Sequence, residues 1–158
     1  MFSITTNSAN ETLEIGKKMA PYLNKGDVIV LLGDLGAGKT LFVSGLLDFY
    51  NKKEEASSPT FTIVNEYDLK DDLKLFHFDV YRLGSSDEFL AIGGDEFFEK
   101  GICVIEWGDK ISDVIPKDAL IIKIEKDVDD INKRTICFNS SSNKYDNLIK
   151  EVTSKWKF

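Results

Sequence analysis

Gly33-Asp34-Leu35-Gly36-Ala37-Gly38-Lys39-Thr40 carries the most specific chemistry in this sequence, a complete G-x-x-x-x-G-K-[ST] motif. Glycines at these spacings permit positive φ values and let backbone N–H groups close on phosphate oxygens. The lysine of such a loop reaches the β- and γ-phosphates, and the threonine hydroxyl ligates Mg2+. The motif means more than a flexible turn only where a buried strand precedes it and a helix follows. Val28–Leu32 is a continuous apolar run of strand length, and Leu41–Leu47 is apolar and helix-tolerant. A helix starting near Lys39 also points its positive dipole end at the loop. The stretch reads as a nucleoside-triphosphate site.

Such a site needs an acid near the metal and a group that orients the attacking nucleophile. Two acids stand at the ends of apolar strands, where a sheet edge gathers them. Asp79 lies in Leu75-Phe76-His77-Phe78-Asp79-Val80-Tyr81-Arg82, and Glu106 in Cys103-Val104-Ile105-Glu106-Trp107. An apolar run leads straight into Glu106, which favours metal contact over a solvated strand-end carboxylate. Asp79 is expected at the active site, on metal or on water. Ser58-Pro59-Thr60-Phe61-Thr62 reads either as a switch segment meeting the γ-phosphate or as a proline loop entering a strand. His77 alternates with Asp79, shares its face, and reads as a packed strand histidine. Arg82 reads as an exposed salt-bridge partner, and Trp107 as a core residue placed to cover the site. Asn143-Lys144-Tyr145-Asp146 matches the guanine-reading N-K-x-D signature. It follows a Ser/Asn run rather than a buried strand, and Asp79-Val80-Tyr81-Arg82 lacks the glycine of D-x-x-G. A chance match is expected.

The elements that must position these residues follow from periodicity and turn signals. Phe2–Thr6 reads as a short strand. Ser8-Ala9-Asn10-Glu11 is a capping box that opens a helix reaching Asn24, its last turn loosened by Pro21. A second helix is expected from Lys39 to Tyr50. Phe61–Tyr67 and Leu73–Tyr81 form a hairpin about Lys70-Asp71-Asp72. Ser85-Ser86-Asp87-Glu88 is another capping box, Ile102–Ile105 a buried strand, and Ala119–Glu125 with Arg134–Phe138 a terminal strand pair. The tail from Lys144 to Trp156 is spaced like one helical face.

At 158 residues the chain is most economically one domain, and 42% hydrophobic content excludes a disordered one. Net charge is −7 and the Lys and Arg residues are scattered, which disfavours strong direct binding of RNA or DNA. Cys103 and Cys137 stand alone in apolar runs, as buried thiols of a reducing compartment do. The N-terminus lacks the pattern of a signal peptide, and no apolar run approaches the ~20 residues of a membrane span. A soluble, cytoplasmic protein without membrane contact is expected.

GDLGAGKT, SPTFTIVNEY, HFDVYRL and IEWGD, in this order and spacing, resemble the TsaE (YjeE) family. These are the P-loop ATPase subunits of the bacterial machinery that makes threonylcarbamoyladenosine in tRNA. The likeness runs from about Ser8 to Arg134. It implies an α/β, P-loop NTPase-like three-layer fold with a mixed parallel/antiparallel sheet, one P-loop ATPase domain over residues 1–158. It implies ATP and Mg2+ as cofactors, and slow hydrolysis that supports turnover by the TsaD and TsaB proteins without transferring the threonylcarbamoyl group. Contact with tRNA would come only through that complex. By the same likeness Gly33, Asp34, Leu35, Gly36, Ala37, Gly38, Lys39, Thr40 and Leu41 bind the nucleotide. Thr40 and Glu106 hold the metal, Asp79, Glu106 and Thr60 serve the active site, and Arg134 is a candidate nucleotide contact. Leu41 stands where the family often has threonine, so any hydroxyl role there is lost. Three other readings compete. A GTPase needs the guanine signature to be real. A small-molecule kinase needs an arginine-rich lid, whereas the chain has only Arg82 and Arg134. In a nucleotide-gated binding module, hydrolysis is incidental.

Overall fold

The apolar runs pair into one seven-stranded sheet ordered β1-β7-β6-β2-β5-β4-β3. A computed structural model describes residues 1–154 and residue 156. β2 (Val28–Leu32) is central, and a strand covered on both faces must be apolar throughout, as this one is. It runs parallel to β5 (Ile102–Glu106) and β6 (Leu120–Lys126), and β5 runs parallel to β4 (Leu73–Asp79). Antiparallel partners lie outside these: β3 (Val64–Lys70) on β4, β7 (Arg134–Asn139) on β6, and β1 (Phe2–Thr6) on β7. The sheet is mixed, as expected. Its four parallel strands end at one edge, where loops from several strands meet.

Alternate residues of these strands feed two cores. Ile29, Leu31, Val104, Leu120 and Ile122 pack with α1 (Ala9–Met19), α2 (Lys39–Phe49) and α4 (Asp146–Ser154). Val28, Val30, Phe76, Phe78, Cys103 and Ile105 pack with α3 (Ser86–Ala91) and the short helical turns Gly94–Glu99 and Gly108–Ile111. Helices on both faces of the sheet give three layers.

Several boundaries differ from the sequence expectation for local reasons. β3 begins at Val64 rather than Phe61, because Ile63 adopts a left-handed φ of 70°. Its N–H donates to the Pro59 carbonyl at 2.8 Å and its carbonyl accepts from Asp79 N at 2.8 Å, curling the chain before the strand starts. β4 stops at Asp79 rather than Tyr81, where the Asp79 carboxylate accepts the Tyr81 N–H at 3.0 Å. Asp71 and Asp72, both at positive φ, make a tight turn of the kind that suits twisted hairpins. Pro21 falls in a 3-10 turn, Ala20–Tyr22, after α1 has ended. Ser8 caps α1 through the Glu11 N–H, while the Glu11 carboxylate reaches back to Asn7 N rather than to Ser8 N. The C-terminal helical face divides into a turn at Asn143–Tyr145 and α4. Trp156 lies beyond α4, its Nε1–H donating to the Thr5 carbonyl.

Candidate nucleotide site

The loop between β2 and α2 is shaped by Gly36 and Gly38, at φ 78° and 113°, a region that L side chains rarely occupy. Gly38 is also where α2 starts. α1 and α3 begin on the serine caps Ser8 and Ser85, but α2 has no side-chain cap. The first N–H groups of a helix have no intrahelical partner. At α2 these belong to Lys39, Thr40 and Leu41, and the positive end of the dipole adds to them. A helix start left uncapped on a glycine turn is suited to hold an anion. Asp34, Leu35, Gly36 and Thr40 are exposed on the loop, while Ala37 is buried and donates its N–H to the Asp34 carbonyl at 3.0 Å.

Lys39 is held ready inside this cradle. Its side chain folds so that Nζ donates to the Gly33 carbonyl at 2.7 Å and lies 3.9 Å from the centre of the Trp107 ring. The residue is 5% exposed. Burial lowers its pKa from the ordinary lysine value, opposed by the charges of Glu106, Asp79, Asp109 and Asp34. Trp107 takes a left-handed φ of 64°, costly for a side chain of its size. That turn lays its ring against Tyr81, 5.0 Å between centres, and over the lysine.

Asp79 and Glu106 stand opposite each other in the β4–β5 register, at the carboxyl ends of both strands. They are 7% and 4% exposed. With Lys39, Thr40, Thr60 and Trp107 they line a cavity of about 230 Å³. Thr60 donates to Asp79 Oδ2 across a long 3.4 Å and pairs with Ser58 Oγ at 2.7 Å, so the curled 58–63 segment reaches Asp79 directly. A second cavity of about 500 Å³ lies past Lys39 and Trp107, lined also by Gly33, Asp34, Lys123 and Lys126. No three His, Cys, Asp or Glu side chains gather as a metal cage among the described residues. A hydroxyl on Thr40 and a carboxylate on Glu106 nevertheless fit Mg2+. That ion takes one or two protein carboxylates and draws its remaining oxygens from phosphates and water.

Some sequence candidates lie elsewhere. Arg134 donates from Nε to the Ala37 carbonyl at 2.9 Å and from Nη1 to the Ile131 and Lys133 carbonyls, so it braces β7 against the loop backbone. It lines a smaller cavity, about 140 Å³, with Thr12, Gly36 and Leu41. Arg82 lies over the Phe61 ring, 4.5 Å from its centre, and forms none of the expected salt bridges among the described residues. Cys103 is buried and its thiol is pushed up to about 12, which leaves it unreactive. The Asn143–Asp146 match sits at the wrong end of the sheet. Tyr145 bonds Val28 N, and Lys144 pairs with Asp27, where β2 begins. The phosphate loop leaves the other end of β2, roughly 17 Å away at about 3.3 Å per residue. Guanine reading by that segment is excluded. His77 was legible only as a strand neighbour of Asp79; the structure places its Nε2 2.6 Å from Glu106 Oε2.

A central strand that feeds this loop into an uncapped helix, within a mixed sheet, makes the chain a P-loop protein of the α/β class. It belongs to the TsaE family: the family described as "Threonylcarbamoyl adenosine biosynthesis protein TsaE" matches residues 6–136. The tRNA threonylcarbamoyladenosine biosynthesis protein TsaE of Bacillus subtilis (strain 168) is 40% identical over 149 residues, covering 94% of this chain and 91% of the relative. Its counterpart in Treponema pallidum is 41% identical over 120 residues, covering 75% and 87%. The crystal structure of Bacillus subtilis YdiB matches with a TM-score of 0.75 at 35% identity, covering 97% of this chain and 94% of that one.

Proposed function

We propose that this protein binds ATP with Mg2+ between α2 and the β4–β5 edge and hydrolyses it slowly. It acts with the TsaD and TsaB proteins in forming tRNA threonylcarbamoyladenosine and does not transfer the group itself. The position of Lys39 supports this most. A buried ammonium lies at an uncapped helix start and, among the described residues, is bonded to a backbone carbonyl and an aromatic face alone. Phosphate oxygens would compensate its charge.

Under this reading the backbone of Gly33 to Leu41 receives the phosphates, and Lys39 exchanges the Gly33 carbonyl for a phosphate oxygen. Mg2+ bound here would neutralise phosphate charge. Thr40 and Glu106 are the protein groups that would hold it. Asp79 faces the same cavity and accepts from Thr60, so it is placed to orient a water, and the 58–63 segment senses the γ-phosphate through that bond. Arg134 acts on the loop by fixing the Ala37 carbonyl. Neither arginine lines the cavity of the acids: Arg82 stacks on Phe61 and Arg134 braces the loop. An arginine that stabilises transferred charge is worth several orders of magnitude in such reactions, so hydrolysis by this chain alone is slow. With a net charge of −7, binding of tRNA falls to the partners. No helix among the described residues is long and apolar enough to cross a membrane, and the expected compartment is the cytoplasm.

Calorimetry with Mg-ATP and Mg-GTP, paired with turnover measurements, tests this reading. ATP is expected to bind without a preference for guanine. Glu106→Gln is expected to lower kcat roughly 100-fold, the size of one lost electrostatic contact at a transition state. Strong preference for GTP, or phosphate transfer to an added metabolite rather than to water, would reject it.

A further inference from the structure

We infer that His77 is a positioning residue that fixes Glu106 for its metal, an inference that rests on Glu106 being the metal carboxylate. His77 and Glu106 are both buried, at 0% and 4% exposure, and project from adjacent parallel strands. Their contact, Nε2 to Oε2 at 2.6 Å, is short. An ionised carboxylate only accepts, so Nε2 carries the proton and donates it. Nδ1 is buried and has no hydrogen-bond partner among the described residues.

That orphaned nitrogen argues against a purely structural role. His77 stands on the face of the sheet that also carries Leu75, Val104 and Leu31. An apolar side chain would suit that position without leaving a buried nitrogen unpartnered. What the imidazole provides instead is one fixed N–H on one carboxylate oxygen. Among the described residues no hydrogen bond is made to Oε1, which leaves it for a cation in the cavity that Glu106 lines with Thr40 and Asp79. Tying Oε2 sets the rotation of the carboxylate, and partners that orient a metal ligand in this way govern affinity for the ion.

The test is the Mg2+ dependence of ATP binding, followed by calorimetry in wild type, Glu106→Gln, His77→Leu, His77→Gln and His77→Asn. His77→Leu is expected to weaken apparent Mg2+ affinity roughly 10- to 100-fold, the usual effect of losing such a partner, with metal-free ATP binding unchanged. Glutamine places an N–H near the Nε2 position and is expected to restore most of the affinity. Asparagine places its N–H near the Nδ1 position and is not. Should His77→Leu fail to fold, the glutamine–asparagine comparison decides, with melting temperatures of both recorded without nucleotide. Mg2+ affinity in His77→Leu equal to wild type overturns the inference and leaves the ATPase reading standing. So does an equal loss in the glutamine and asparagine variants that tracks their melting temperatures. No Mg2+ effect in wild type overturns both.

Discussion

Replacing Lys39 with methionine is expected to abolish ATP binding while leaving the empty protein at least as stable as before. The two effects separate because the ammonium is held against its own solvation. Burial lowers its pKa, and its contacts are one carbonyl and the Trp107 face rather than a carboxylate. A lysine whose pKa is lower folded than unfolded takes up a proton on unfolding. Its penalty is therefore full below the folded value and shrinks as pH rises from there towards the unfolded one. Methionine keeps the apolar stem and removes the charge. The wild-type protein should thus gain on Lys39→Met as pH rises through that window. With ATP the order reverses. A ligand at 100 times its Kd stabilises a protein by about 2.7 kcal/mol, which for this chain length is roughly 5–10 °C in Tm. Lys39→Met should show none of that shift. A variant that kept the full shift would remove Lys39 from the phosphate site.

Gly45→Ala is expected to be among the most damaging single substitutions to the fold, although alanine is the better helix former by about 1 kcal/mol. A Cβ on Gly45 would lie 2.0 Å from the Leu13 carbonyl oxygen, and one on Gly16 would lie 2.3 Å from the Phe42 carbonyl oxygen. Both obstacles are backbone, so no rotamer change relieves them. α1 and α2 would have to move apart, opening the core at Ile15, Met19, Phe42, Leu46 and Leu47, all 0–1% exposed. Overpacking of a dense core costs about 1–3 kcal/mol and more where backbone must shift, so roughly 3–5 kcal/mol is expected here. Thermal unfolding should place the loss at about 6–20 °C, on the scale of about 2–4 °C per kcal/mol. A rise in Tm, as helix propensity alone predicts, would show that the α1–α2 crossing tolerates separation. The same crossing sets the height of α2, and hence of Thr40, above the sheet.

The parts of this molecule governed by local rules were legible in the chain. Val28–Leu32 reads as a buried strand because five apolar residues run without interruption, and it is the centre of the sheet. Glu106 and Asp79 end their strands and meet, because parallel strands deliver their carboxyl ends to one edge. Features set by distant partners were not legible. Nothing local marks Gly16 and Gly45 as a helix crossing, since each glycine meets only the other helix. Ile63 reads as a strand residue by its β-branching, yet its left-handed backbone is fixed by Pro59 and Asp79. Nor does the chain show that Arg134, read as a nucleotide contact, bonds the Ala37 carbonyl of the loop through Nε, since Ala37 lies far from it in sequence. The guanine signature was complete as a string and misplaced in space, because the Tyr145 hydroxyl anchors it where β2 begins.

Hydrolysis coupled to turnover is the central claim, and formation of threonylcarbamoyladenosine on tRNA, reconstituted with TsaD and TsaB, tests it most directly. With ATP and this protein, repeated turnover is expected. With a non-hydrolysable analogue, or with Glu106→Ala, formation should stop after about one round per complex. Full multi-turnover formation with the analogue would contradict the claim, leaving a binding module in which nucleotide occupancy alone matters.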